Sequence, residues 1–138
     1  MPRWLFKEEP EHYSFADLQR EGETLWDGVT NSLARLNLRK VRKGDLAFFY
    51  HTGKVKAIVG EMKVTGDPEH EPGAKDTKAV AVKVAPVRTL PRPVTLAEIK
   101  DDAKLAGWDL VRLPRLSVLP VSDEQWQRIE ALSRQPKS

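Results

Sequence analysis

Three helix starts led by serine or threonine punctuate a chain whose apolar residues otherwise come in short β-branched or aromatic runs. Ser14-Phe-Ala-Asp17 nearly matches, and Thr95-Leu-Ala-Glu98 and Ser122-Asp-Glu-Gln125 match, the spacing at which a hydroxyl and an acceptor side chain cap each other's backbone amides. Tyr13 with Leu18, and Val121 with Trp126, hold the flanking staple positions. A further helix is predicted from about Asn31 to Lys43, stopping at Gly44, with Leu33 and Leu36 in the core. Strands are predicted at Arg3–Lys7, Asp45–His51, Ala57–Val64, Lys78–Val87 and Leu116–Val121. Thr52-Gly53-Lys54 reads as a hairpin turn, and Val80, Val82 and Val84 share one strand face. Pro120 makes the last strand an edge, because proline cannot donate to a ladder. Leu96, Ile99, Ile129, Trp4, Trp108 and Trp126 are expected in the core. Strands and helices show no regular βαβ alternation, which argues against a doubly wound parallel sheet. The expectation is an α+β domain on a small β-barrel or strongly curved sheet. The 138 residues suit one domain over 1–138, with 133–138 a frayed tail.

Several chemistries are absent. Without cysteine there is no disulfide, thiolate zinc site or cysteine nucleophile, which fits a reducing compartment, and a cytoplasmic location is expected. The longest hydrophobic stretch, Leu46 to Tyr50, is strand-sized, and the first ten residues lack a signal-peptide core, so no membrane partner is expected. Gly53-Lys54 is followed by Val55 and has Phe48 where a phosphate loop needs glycine. His12, His51 and His70 are far apart and lack helical ligand spacing, so neither metal nor cofactor is expected. Glu8 and Glu9 point oppositely on an extended segment and do not form a catalytic pair there.

The formal charge is +3, from 23 basic and 20 acidic residues. Asp67, Glu69, Glu71 and Asp76 gather in the Thr65–Asp76 loop against Lys75 alone; outside it, 22 basic residues face 16 acidic, a net of +6. That balance is compatible with a polyanionic partner, though taken alone it favours ordinary solvated charge. Arg35, Arg39 and Arg42 recur at helical spacing and form one stripe, either a phosphate grip or a solvated face. Trp26, in a loop before Asp27-Gly28-Val29, would stack on a nucleobase or plug one barrel end. Of Phe48-Phe49-Tyr50-His51, alternation sends one pair to the core and the other to a surface or cavity.

The residues resemble the EVE domain. Trp4-Leu-Phe-Lys7-Glu-Glu-Pro10, Tyr13-Ser14, Asp17-Leu18 and Trp26-Asp27-Gly28-Val29-Thr-Asn31 carry the likeness. So do Ala34-Arg35, Leu38-Arg39, Gly44-Asp45, Phe49-Tyr50-His51, Ile58-Val59-Gly60, the stretch from Leu90 to Lys100, Leu110-Val111-Arg112 and Arg115-Leu116-Ser117-Val118. The resemblance runs from Trp4 to about Leu132. It implies a PUA-like β-barrel of five to six strands with flanking short helices, related to the YTH domain, with a pocket at one mouth. It also implies a non-catalytic module for DNA or RNA that recognises a modified, for example methylated, base flipped into an aromatic pocket. Under that likeness Trp26 would stack on the base, Lys7 and Tyr13 would border the pocket, and Asn31 would read the base edge. Tyr50 and His51 would line the opening, Ser117 would donate to the ligand, and Arg35, Arg39, Arg112 and Arg115 would contact phosphate. Ala79 and Lys83 stand where the family has tryptophan and aspartate, and the Thr65–Asp76 loop lacks a tyrosine-rich insertion. A monomer is expected. Two rival readings remain: an enzyme on nucleic acid or nucleotides, with Asp27, Glu9 or His51 as general base, and a small-ligand or protein-interaction domain.

Overall fold

The computed structural model of the chain describes residues 2–136. Its elements are β1 (Arg3–Glu8), α1 (Phe15–Glu21), β2 (Thr24–Trp26), α2 (Ser32–Lys40), β3 (Leu46–His51), β4 (Ala57–Val64), β5 (Glu69–His70), β6 (Val80–Thr95), α3 (Leu96–Asp101), α4 (Asp109–Arg112), β7 (Val118–Val121) and α5 (Asp123–Arg134). Six strands follow the order β2-β6-β4-β3-β1-β7, and β5 pairs with β6 outside that path. The sheet is mixed: β1 runs parallel to β3 and antiparallel to β7, and the other pairs are antiparallel. It curls into a half-barrel, the PUA-like architecture, and α2 packs on both β6 and β7.

All three capping boxes form, with the Ser14, Thr95 and Ser122 hydroxyls accepting from the third helical amide and the partner side chains accepting in return. Asn31 Oδ1 caps α2 by accepting from Ala34 N at 2.9 Å. That helix stops at Lys40, short of the expected Lys43. Val41 is already extended, and the buried Asp45 carboxylate takes both Arg42 N (2.9 Å) and Trp4 Nε1 (3.0 Å). Gly44, at φ +97°, serves the turn into β3 rather than the helix end.

Ala34, Leu38 and Val41, with Asn37, face inward at the i, i+3, i+4, i+7 spacing of one helical face. Leu33 and Leu36 therefore sit on the flanks, 44% and 48% exposed, not in the core. Asn37 Nδ2 donates to Val118 O at 2.8 Å, which satisfies a carbonyl on the free edge of β7. Pro120 lies on that edge strand, as its missing donor demands.

Seven strands form where five to six were expected, because β2 and β5, of three and two residues, are too short to show a pattern. The strand expected to stop at Val87 continues to Thr95. Beyond Val84 it has no ladder partner on its outer side, so Pro86, Pro91 and Pro93 are tolerated. Helix α5 carries on through Arg134, with Ser133 buried and its hydroxyl donating to Glu130 O at 2.7 Å. The frayed tail thus does not start at Ser133, and residues 137–138 lie outside the described residues.

Both faces of β3 are covered. Phe48 stacks on Trp126 of α5 (centroids 3.7 Å apart, planes 10° apart), while Phe49 packs edge-on against Phe15 and Trp26. Phe48, Phe49 and Tyr50 are all buried, so neither face of this strand is free. Gly60, on the neighbouring β4, leaves the space that the Phe15 ring fills; a Cβ there would come within 2.4 Å of that ring. Gly60→Ala should cost about 1–3 kcal/mol through overpacking. Denaturant titration checks this, and Phe15→Leu in the same chain should recover part of the loss.

Candidate functional site

The parallel ladder sets Lys7 level with Tyr50 and Glu8 level with His51 at the ends of β1 and β3. Lys7 N donates to Ser117 O (2.9 Å) and Thr52 N to Glu8 O (3.0 Å), which brings the approach to β7 and the β3–β4 turn to the same rim. Alternation then divides the residues. Phe6 and Phe49 meet Trp26 on one face (centroids 5.3 Å from each ring), while the Lys7 ammonium lies 5.6 Å over the Tyr50 ring. The expected pocket residues therefore line separate hollows.

Trp26 ends β2, opposite Val82 of β6, rather than standing in a loop. It is 5% exposed, held by Phe6 and Phe49, so it forms a wall and not a free-standing stacking platform. A hollow of about 230 Å³ nonetheless opens beside it, lined also by Glu8, His12, Tyr13, Thr24, Leu25 and Asp27. The lip is acidic. Glu71 Oε1 accepts from Gly28 N at 2.6 Å, and Gly28 holds φ +72° to present that amide. His12 Nδ1 lies 3.2 Å from Glu8 Oε1. Burial, and then the Glu71 charge, push the Asp27 carboxyl up from its ordinary range. Tyr13 donates to Glu21 at 2.6 Å; burial and that bond raise its hydroxyl to about 12.

Lys7 and Tyr50 line a second hollow of about 250 Å³ with Thr52, Gly53, Lys56, Leu96, Lys100, Leu110 and Pro114. Lys7 Nζ donates to Pro114 O at 3.0 Å, and burial lowers its pKa. Burial likewise raises the Tyr50 hydroxyl to about 12. Asn31, which also caps α2, lines a third, mostly apolar groove of about 280 Å³ with Leu33 and the 112–116 segment. His51 and Ser117 line none of these. His51 Nε2 accepts from Phe15 N at 3.1 Å, which assigns the ring proton to Nδ1 and commits the other nitrogen to the start of α1.

The arginines differ in their freedom. Arg35 Nε donates to Val29 O (2.7 Å) and its Nη1 to Asp76 (2.8 Å), so its fork ties the acidic loop to α2. Arg39 donates to Lys78 O, and Arg42 to the carbonyls of Arg39 and Val41. Arg112 pairs with Asp109 at 3.5 Å, and Arg115 is exposed. Lys56 and Lys100 line the Lys7–Tyr50 hollow, and Glu71 bonds Gly28 N beside Asp27, without having been marked as site residues in the sequence. Only the charge of the Thr65–Asp76 loop pointed to Glu71, and no local pattern joins the lysines. Among the described residues no group of three or more acidic, histidine or cysteine side chains gathers as a metal site.

A family model described as EVE domain matches residues 2–132. Human thymocyte nuclear protein 1 is 31% identical over 169 residues, spanning 98% of this chain and 75% of that protein. A Rhodopseudomonas palustris protein solved by NMR superposes with a TM-score of 0.92 at 33% identity, covering 100% of this chain and 97% of the other. The crystal structure of human THYN1 in complex with DNA containing 5-methylcytosine superposes with a TM-score of 0.92 at 29% identity, covering 99% and 100%. The vertebrate relatives carry "nuclear" in their name, so the cytoplasmic expectation gains no support from them. No described helix is long and apolar enough to cross a membrane.

His51 predicts a pH dependence. Burial lowers its folded pKa below the ordinary value of 6.5. Its neutral form therefore contributes stability that is full above about pH 6.5 and is lost as pH falls toward the folded value. Denaturant midpoints should fall between about pH 7.5 and 5.5. His51→Gln, which keeps an acceptor for Phe15 N but does not titrate, should flatten that slope.

Proposed function

Because the chain belongs to the EVE domain family, we propose that it binds nucleic acid and admits one flipped base, a 5-modified cytosine in the first instance, to the hollow beside Trp26. The observation that carries this reading is the roughly 230 Å³ space walled by an indole and lipped by the Glu8 and Asp27 carboxylates. It is smaller than the roughly 300–1,000 Å³ of drug-sized pockets, which suits a single heterocycle. Cytosine offers an exocyclic amine donor, and Asp and Glu are the side chains that accept from it. Trp26 and Leu25 supply apolar wall for a substituent on the ring. The 5-methylcytosine DNA held by human THYN1 supports the same choice of ligand. Flipping costs a few kcal/mol of unstacking, so the pocket contributes selectivity while backbone contacts hold the strand.

The reading is of binding without chemistry. His51 Nε2 is already an acceptor for Phe15 N, and Glu9 does not line the hollow. Of Asp27, Glu9 and His51, Asp27 alone lines the hollow.

Fluorescence anisotropy with matched DNA and RNA oligonucleotides, with and without 5-methylcytosine, tests the proposal. One well-placed methyl group should yield on the order of a tenfold preference. Asp27→Ala, at an exposed position, should collapse that ratio while leaving the fold intact. Trp26→Phe is the usable wall variant, since truncating a buried tryptophan to alanine would cost about 3–5 kcal/mol of stability. Equal affinity for modified and unmodified strands would sink the reading. A change of nucleoside mass after incubation would move it to an enzyme.

A further inference from the structure

We infer that the nucleic-acid backbone is held by a lysine track on the α3 side of the mouth, Lys54, Lys56 and Lys100, continued beyond Lys7 by Arg115, and not by the arginine stripe of α2. This rests on the nucleic-acid reading above and specifies its phosphate-binding surface.

Three hollows adjoin along that side. The first, about 310 Å³, is lined by Lys54, Lys56 and Lys100 with Val55, Leu96 and Ala97 among others. The Lys7–Tyr50 hollow shares Lys56, Leu96 and Lys100 with it, and shares Pro114 with the groove that carries Arg112 and Arg115. No carboxylate lines any of the three. Among the described residues, Lys7, Lys54, Lys56 and Lys100 make no ion pair, and the last three are exposed. The β3–β4 turn is shaped to carry two of them. Gly53 at φ +73° reverses the chain, and Lys56 itself sits at φ +47°, a left-handed conformation rare for a long side chain.

The α2 side differs. Arg35, Arg39 and Arg42 spend donors on Val29, Asp76, Lys78 and the helix's own last carbonyls. The hollow beside Arg39 and Arg42, about 450 Å³, is lined also by Asp67 and Glu69, which would repel phosphate. Unpaired ammonium groups beside a carboxylate-free hollow attract a phosphodiester chain; guanidiniums already bonded to carbonyls and facing acids do so far less. A strand following the track reaches the rim at Lys7, one residue from Glu8 of the base hollow.

Two triple variants with equal loss of charge test this. Lys54→Gln/Lys56→Gln/Lys100→Gln removes the track, and Lys40→Gln/Lys43→Gln/Lys78→Gln removes exposed lysines around Arg39 and Arg42. Dissociation constants for an unmodified oligonucleotide are measured against salt, with thermal melts as the check on folding. The track variant should make the log–log salt slope shallower by about 2–3, at about 0.7–0.9 per phosphate contact, with the modified-to-unmodified ratio kept. The α2-side variant should leave the slope near that of the wild type. Equal changes in both, or a change in the second alone, would overturn the track while leaving the base-binding reading in place. A wild-type chain that binds no oligonucleotide, or binds only vesicles of anionic phospholipid, would overturn both.

Discussion

Phe6 lies level with Phe49, and Leu5 with Phe48, across a parallel ladder, and all four side chains are cut off from water. A parallel pair needs a crossover between its strands, and here α1, β2 and α2 supply it. That crossover carries Trp26 onto Phe6 and Phe49, and it places α2 against both β6 and the edge strand β7. The Asp45 carboxylate fixes the return into β3 by joining Trp4 of β1 to the turn after α2. Removing an acceptor so deeply buried would strand two donors, which is costlier than losing an ordinary surface bond. The rim residues inherit their positions from this frame.

Strand alternation then decides the electrostatics of the rim. Lys7 and Glu8 are neighbours in sequence, yet one looks onto a hollow shared with Lys56 and Lys100 and the other onto one shared with Asp27. A net charge of +3 conceals that division, because the two signs are sorted by face rather than cancelled. Acceptors beside an indole and free ammonium groups round the lip suit a ligand with a donor-bearing heterocycle on a polyanionic chain.

Local signals were legible wherever a residue acts on its own neighbours. The capping boxes at Ser14, Thr95 and Ser122 and the edge proline at position 120 depend on spacings of a few residues, and the structure contains them. Leu33 and Leu36 misled because helical periodicity allows two apolar stripes, and only contact with β6 and β7 selects Ala34, Leu38 and Val41. Arg35 looked available in sequence; its partners Val29 and Asp76 are set by how the acidic loop folds back. Lys54, Lys56 and Lys100 gave no signal at all, because positions so far apart become one surface only after β3, β4 and α3 are placed.

The class of fold and the family are readable along the chain, since cap spacings, strand-length apolar runs and long motifs from Trp4 to Leu132 are properties of residues taken in order. Tertiary structure alone decided that Trp26 is a wall with a hollow beside it, that His51 serves the start of α1, and that cations and carboxylates occupy separate faces of one rim. Burial, free donors and local charge depend on which distant segments meet, and in this molecule the parallel β1–β3 register makes that choice.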